Sequence, residues 1–237
     1  MSVKNDLIRH RILLQRYVLT ELNRRRKILN AIVEIVDEQF DKPIKKILDS
    51  VRKELKQNTL NAFKSLEALA IYEAKFIARI LRKYIKEPIV TIIPEKVKEV
   101  QIVLNTHGKS HSLNDVYDDF DEYTMKKVAK IVKEEDKGEM LTSLGLLATG
   151  AVLAQYKTVA TTAINGVVNS VHEEVYKENS NIIETAQWIS MLDDSVCPDC
   201  EDLHGQIFPI DDLPACPLHA NCRCELIPLI QGGATFE

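Results

Sequence analysis

Cysteine and histidine residues near the C-terminus form the clearest chemical pattern in this chain. All five cysteines of the 237 residues lie between positions 197 and 224. Cys197 and Cys200 make a C-x2-C pair, and His219 and Cys222 make an H-x2-C pair 18 residues later. Two such pairs about 15 to 20 residues apart are typical of zinc ribbons, and thiolate and imidazole suit Zn²⁺. The spacing therefore predicts one Zn²⁺ bound by these four residues.

Three further residues leave the choice of ligands open. Cys216 also forms a pair with His219, and Cys224 lies two residues after Cys222. His204, between the two pairs, is another candidate. A thiol that is not a ligand is expected to pack beside the site as a small apolar side chain.

The predicted zinc site is structural rather than catalytic. Four protein ligands close the coordination sphere, whereas a catalytic zinc keeps one position open. Carboxylates surround the first pair, and we expect them to form a solvated acidic rim: Asp193, Asp194, Asp199, Glu201 and Asp202. We therefore predict that the chain is not an enzyme. Metal binding would supply the folding free energy that a small C-terminal core lacks.

Long helices are predicted ahead of the cysteines. Apolar residues recur at spacings near three and four over residues 5–41, which indicates one helix that ends before Pro43. A shorter helix is expected over 44–56, and a third is expected to begin at an Asn58-Thr59 cap and end near residue 85. The basic run 24–27 could contact DNA, but we interpret it as a solvated helix face.

The middle of the chain predicts mixed structure. The β-branched run 89–93 favours a short strand, whereas 97–104 could be helical. Residues 105–112 predict a polar loop, whose His107 and His111 are expected to be exposed. Ser112 and Asp115 predict a capping box that begins a helix ending near residue 135.

Residues 140–171 are rich in small and apolar side chains. No charged residue occurs from Met140 to Tyr156 or from Thr158 to Val171. A membrane span needs about 20 predominantly apolar residues, and Lys157 with several threonines argues against one. We predict a buried helix whose small residues let another helix approach closely. It is expected to end near 179–181, where a strand-like segment over 184–192 follows.

Composition and charge predict a mainly α protein with two regions. Hydrophobic residues make up 45% and charged residues 28% of the chain, which excludes a disordered polymer. Residues 1–100 hold 22 Lys and Arg against 13 Asp and Glu, whereas 101–237 hold 9 against 22. We predict a helical region over 1–181 that contacts other subunits, and a small β-rich, zinc-ribbon-like module over 182–237.

The segment from Trp188 to Pro228 resembles the C-terminal domain of the phage Mu F-like minor head protein family. That family combines an aromatic strand, an Asp-rich turn, C-x2-C, a Gly-x-x-Phe segment and H-x2-C-R-C. The residues that fit this order are Trp188, Asp193, Asp194, Cys197, Cys200, Gly205, Phe208, Pro217, His219, Asn221, Cys222, Arg223 and Cys224. Two positions differ, since Cys216 replaces a more usual proline and Cys224 stands where the family often has serine. The second difference favours Cys222 as the ligand.

The resemblance implies a minor structural protein of a tailed-phage head. Family members lie inside the capsid near the portal vertex, and they take part in head morphogenesis or in the packaging or delivery of DNA. The implied partners are the portal protein, the major capsid protein and packaged DNA, the last through the basic region 1–100. Several copies per virion and no membrane contact are expected. Before packaging, the protein would be in the host cytoplasm.

Two other functions share part of the cysteine pattern. An HNH-type nuclease needs a histidine base beside a metal-binding residue in a ββα unit. The segment 225–230, Glu-Leu-Ile-Pro-Leu-Ile, does not predict its polar metal-binding helix. A zinc ribbon that binds nucleic acid should be basic around its cysteines. Residues 188–224 contain one basic residue, Arg223, and seven acidic ones. Both functions are therefore disfavoured.

Overall fold

The structure is a computed structural model that describes residues 3–92, 96–104, 109–191 and 196–230. Two long helices begin the chain: α1 (Val3–Glu38) and α2 (Ile44–Leu81). Pro43 precedes α2 because proline cannot continue α1 but suits the start of a helix. The prediction of one long N-terminal helix is confirmed.

Helix α2 corrects the predicted break at Asn58-Thr59. Both residues lie inside one continuous 38-residue helix and are buried. The Thr59 hydroxyl donates a hydrogen bond to Asp121 Oδ2 at 2.7 Å. Because a carboxylate from a distant helix satisfies this hydroxyl, the residue does not need to act as a cap.

The basic run 24–27 is not a uniformly solvated helix face, which corrects that interpretation. Arg25 is fully buried and donates hydrogen bonds to Asp121 Oδ1 at 2.9 Å and Thr124 Oγ1 at 3.0 Å. Arg24 donates to both oxygens of Glu21. Arg26, by contrast, is exposed.

The segment after α2 contains little regular structure. Residues 89–92 do not form the predicted strand, since Val90 exchanges two hydrogen bonds of 2.9 Å with the side chain of Asn179. Ile93 lies outside the described residues, as does His107. Strands β1 (Gln101–Ile102) and β2 (His111–Ser112) pair antiparallel, and His111 is exposed as predicted.

The predicted capping box begins α3 (Leu113–Glu134). The Ser112 hydroxyl accepts the amide of Asp115 at 3.1 Å and donates to the Asp115 carboxylate at 2.7 Å. Ser112 and Asp115 therefore satisfy each other's hydrogen-bonding groups within the first turn of the helix, as the sequence predicts.

The small-residue segment forms two helices, α4 (Lys137–Leu147) and α5 (Ala151–Glu178), rather than one. They meet at Gly150, where a Cβ atom would lie 2.7 Å from the Leu146 carbonyl oxygen. Helix α5 is buried along most of its length, as predicted. Within the described ranges, no helix is both long and apolar enough to cross a membrane.

The C-terminal region forms a three-stranded antiparallel sheet. Its strands are β3 (Thr185–Ile189), β4 (Ile207–Pro209) and β5 (Glu225–Leu229), in the order β4-β3-β5. A short helix, α6 (Pro198–Leu203), lies between β3 and β4 in sequence. The predicted mainly α fold with a small C-terminal β region is confirmed.

Two hydrophobic cores hold these elements together. The bundle core lies among α1–α5 and includes Val51, Leu66 and Val167. The C-terminal core combines the sheet residues Trp188 and Leu226 with helix residues such as Leu7 and Ile77. The sheet is therefore covered by the ends of α1, α2 and α5. The predicted boundary at residue 181 stays a prediction.

Candidate metal centre

The first cysteine pair is placed by the start of α6. Cys197 is the N-cap residue, and its sulfur accepts the backbone amide of Cys200 at 3.3 Å. Pro198 occupies the first helical position, where its missing N–H costs nothing. The Cys-Pro-Asp-Cys sequence thus forms one helical turn that puts both sulfurs on the same side.

The second pair lies in the loop that leads to β5. The amide of Cys222 donates to the carbonyl of His219 at 3.1 Å. Between them, Asn221 adopts a positive φ of 58°, a conformation that asparagine tolerates better than most residues. This tight turn directs His219 and Cys222 toward α6.

The structure brings Cys197, Cys200 and His219 into one group of potential ligands, whereas Cys222 forms a second group with Cys200 and Cys224. His219 Nε2 lies 2.9 Å from Cys197 Sγ and 3.1 Å from Cys200 Sγ, and the sulfurs of Cys200 and Cys222 are 3.8 Å apart. A tetrahedral zinc with Zn–S bonds of about 2.3 Å separates two sulfurs by about 3.8 Å. A cavity of about 10 Å³ lies among these residues. The donor types suit Zn²⁺, and the Cys200–Cys222 separation matches tetrahedral zinc. His219 Nε2 lies closer to its two sulfurs than the roughly 3.6 Å that a shared zinc would impose.

The imidazole of His219 is oriented for metal binding. Its Nδ1 donates to the carbonyl oxygen of Ala220 at 2.8 Å. In a neutral imidazole this leaves Nε2 unprotonated, and Nε2 is the atom that faces the two sulfurs. A backbone carbonyl therefore selects the tautomer that a metal ligand requires.

The remaining candidates occupy different positions. Cys224 joins Cys200 and Cys222 in a second group of thiols whose sulfurs lie within 4.8 Å of one another. Cys216 instead donates to the carbonyl of Cys224 at 3.2 Å. His204 Nδ1 accepts the amide of Ser190 at 3.0 Å. Cys224 is thus the main alternative to Cys222 as a metal ligand, whereas His204 supports the backbone of the neighbouring segment.

Hydrogen bonds between Cys200 and Cys222 shift the pKa values of these two thiols in opposite directions. Hydrogen bonding, above all with Cys200, lowers the pKa of Cys222. The hydrogen bond with Cys222 and then burial raise the pKa of Cys200. A thiolate is the form that binds metal, and hydrogen bonds among these thiols stabilise one.

Two asparagines of α5 fix the backbone beside the centre, and sequence reasoning did not identify them. Asn165 Nδ2 donates to the carbonyl of Cys222 at 2.7 Å, and Asn169 Nδ2 donates to that of Cys224 at 3.2 Å. Both side chains are buried. Their i, i+4 spacing on an otherwise apolar helix face was the available signal.

A buried ion network connects the start of β5 to the helices of the bundle. Arg11 Nη1 lies 3.5 Å from Glu225 Oε2, and His172 lies between Glu225 and Glu73 at 3.4 and 3.3 Å. His10 Nε2 is 2.7 Å from Glu73. Four elements, α1, α2, α5 and β5, therefore each contribute to one network.

Interactions between oppositely charged groups outweigh the effect of burial on the pKa values in this network. Burial alone would lower the pKa of His172, but hydrogen bonds and attraction from Glu225 and Glu73 raise it to about 9. Burial opposes ionisation of both carboxyl groups, yet the hydrogen bonds from histidine hold the pKa values of Glu73 and Glu225 below the usual range. The network is thus charged near neutral pH.

The expected acidic rim is present in part. Glu201 and Asp202 are exposed, and Asp199 is half-buried. Asp193 and Asp194 lie outside the described residues. Strand β5 follows Cys224 directly, where the ββα unit of an HNH nuclease would place a helix.

Comparison with known proteins gives one family match. The family described as Phage Mu protein F like protein matches residues 123–227. No curated protein and no solved structure matches the chain. The matched segment extends from within α3 to β5, so it includes the small-residue helices as well as the Cys/His cluster. The resemblance inferred from the Trp188–Pro228 segment is thereby confirmed: residues 123–227 match the phage Mu F-like family, which is linked to phage head morphogenesis.

Proposed function

We propose that this chain is a minor structural protein of a tailed-phage head that acts at the portal vertex. It takes part in head morphogenesis or in the packaging or delivery of DNA. The observation that carries the proposal is the family match over residues 123–227. The proposed location is the interior of the capsid near the portal, after assembly in the host cytoplasm.

The proposed partners follow from the family and from the charge distribution. The portal protein is the principal partner, and the major capsid protein and packaged DNA are further ones. The excess of basic residues in 1–100 supports DNA contact by that region rather than by the acidic C-terminal region. Since Arg25 is buried, exposed residues such as Arg26 would make such contacts.

The Cys/His cluster would hold one structural Zn²⁺ through Cys197, Cys200, His219 and Cys222. The bound ion would join α6 to the loop before β5. Four protein ligands leave no open position for substrate, which supports a role without catalysis.

Composition of purified heads tests the head assignment. Quantitative mass spectrometry should find this chain in heads at a few copies relative to the major capsid protein. A tagged chain should also co-purify with the portal protein encoded by the same phage. Absence of the chain from mature and immature heads would contradict the proposal.

Metal content of the purified protein tests the ligand set separately. We expect about one Zn²⁺ per chain, lost in Cys222→Ser and retained in Cys224→Ser. Cys216→Ser is the matched control, because it removes a thiol of the same segment that donates to a carbonyl. Retention of zinc by Cys222→Ser together with its loss from Cys224→Ser would replace Cys222 by Cys224 in the centre.

A further inference from the structure

A groove runs between α1 and α5 and reaches the loop of the metal centre. Its volume is about 680 Å³. Ile12 and Leu19 line it from α1, Lys157 and Thr161 line it from α5, and Asn221 lines it from the loop of the metal centre. The groove thus joins the helical bundle to the C-terminal region on one face of the molecule.

The lining of this groove combines apolar and basic groups. Ile12 and Leu19, seven residues apart on α1, are 57% and 59% exposed and together present apolar area to the groove. Lys157 is exposed, and no carboxylate of the described residues lines the groove. Arg11, also in the lining, is buried, and its Nε has no hydrogen-bond partner among those residues. A surface that presents an apolar residue flanked by carboxylates would complement this groove.

The β4 edge of the C-terminal sheet presents such a surface. Within the described residues, β4 pairs only with β3, so its other side is an open edge. Ile207 is 56% exposed on this strand. Asp202 precedes the strand, while Asp211 and Asp212 follow it, and all three are exposed. No Lys or Arg occurs in the sequence from 178 to 222.

We propose that the α1–α5 groove receives the β4 edge of a second copy of this chain. Ile207 would pack against Ile12 and Leu19, and the flanking aspartates would approach Lys157. The groove and the edge are different surfaces, so a dimer held by one contact still has one free groove and one free edge. Such head-to-tail contacts continue beyond a dimer and form a ring or an open chain. The inference goes beyond the proposed function, since it requires neither the portal nor the metal.

Sedimentation equilibrium of the full chain at low salt tests the contact. We expect concentration-dependent association of the wild type that weakens as salt is added, because exposed charges are screened. Lys157→Glu places an acidic groove against an acidic edge, and Asp211→Lys with Asp212→Lys places a basic edge against a basic groove. Each variant alone should associate at least about tenfold more weakly. Lys53→Glu, an exposed reversal on α2, is the matched control and should behave as the wild type.

Mixing the two variants provides the decisive readout. The acidic groove of one and the basic edge of the other then meet with opposite charges, and the second contact is the wild-type one. We expect the equimolar mixture to associate as the wild type does. A wild type that stays monomeric at about 0.5 mM, a concentration that detects even weak complexes, would overturn the proposal. So would variants that associate normally, or a mixture that stays monomeric. Zinc content measured on every sample keeps this result separate from the metal centre.

Discussion

The bundle and the C-terminal region each bury a polar centre, and the two centres are built differently. In the bundle, Arg25 lies within hydrogen-bond distance of Asp121 and Thr124 and contacts the rings of Phe120 and Tyr156. In the C-terminal region, three thiols and an imidazole lie within hydrogen-bond or contact distance, with a cavity of about 10 Å³ among them.

This difference shows how each region obtains its stability. The bundle has long amphipathic helices and a large apolar core, so its ion pair is an addition to a structure that packing already supports. The C-terminal sheet has three strands of only three to five residues, so its stability requires packing of its apolar face against helices. It depends on helix ends that cover it and, in our proposal, on a metal ion that joins its loops.

Removal of the metal should produce the largest difference in stability between the two regions. Binding of structural zinc contributes about 10 kcal/mol or more to folding of small domains. Chelation, or Cys197→Ser, should therefore abolish the buried environment of Trp188, measured by its fluorescence, while far-UV circular dichroism keeps most of its helical signal. Cys216→Ser should change neither. A wild-type Trp188 signal after complete removal of zinc would contradict the dependence on metal.

Removal of the buried cation should act on the bundle instead. Arg25→Met leaves Asp121 without its ionic partner, and breaking a buried pair from one side costs about 3–5 kcal/mol. Denaturant unfolding should show this loss without a change in zinc content. Arg26→Met, at the adjacent exposed position, should lie within about 0.5 kcal/mol of the wild type. Equal losses in the two variants would show that burial of Arg25 is not what matters.

The ion network between the two regions should make stability depend on pH. The pKa of His172 is raised from 6.5 to about 9, so its contribution is complete below about pH 6.5 and is lost as the pH rises through 9. Over this window the free energy of unfolding should fall by on the order of 3 kcal/mol.

His172→Gln should remove most of this decline, and His111→Gln, at an exposed site, should keep it. Glu73 and Glu225 affect the free energy of unfolding at acidic pH instead. Because their pKa values are lowered, their contribution is present above about pH 4.5 and is lost as the pH falls below it. If the free energy of unfolding of His172→Gln declined between pH 6.5 and 9 as steeply as that of the wild type, His172 would not be the cause of the decline.

Two glycine substitutions should give the smallest effects, with opposite signs. A Cβ atom on Gly166 would lie 2.5 Å from Ile102 Cγ2, so Gly166→Ala should cost about 1–3 kcal/mol through overpacking. At Gly145 nothing lies within 4 Å, and Gly145→Ala should stabilise α4 by about 0.5–1 kcal/mol. Thermal unfolding of both variants measures the difference. A stabilised Gly166→Ala would show that the close approach of Ile102 is easily relieved.

Much of the centre follows from sequence because its parts are local. The C-x2-C pair needs only one helical turn, and the turn at Asn221 brings His219 and Cys222 together over three bonds of chain geometry that the spacing itself encodes. The supporting groups are not local. Asn165 lies 57 residues from Cys222, and no feature of either segment predicts that they meet.

Sequence alone determined those elements whose stabilising contacts lie within three or four residues. The Ser112–Asp115 capping box, the end of α1 before Pro43 and the first cysteine pair belong to this class. Tertiary structure decided the elements whose polar groups are satisfied from far away. Helix α2 continues through Thr59 because Asp121, 62 residues away, accepts its hydroxyl. Arg11 is buried because Glu225, 214 residues away, carries the opposite charge. A buried polar group needs a partner, and only the fold determines which distant residue provides it.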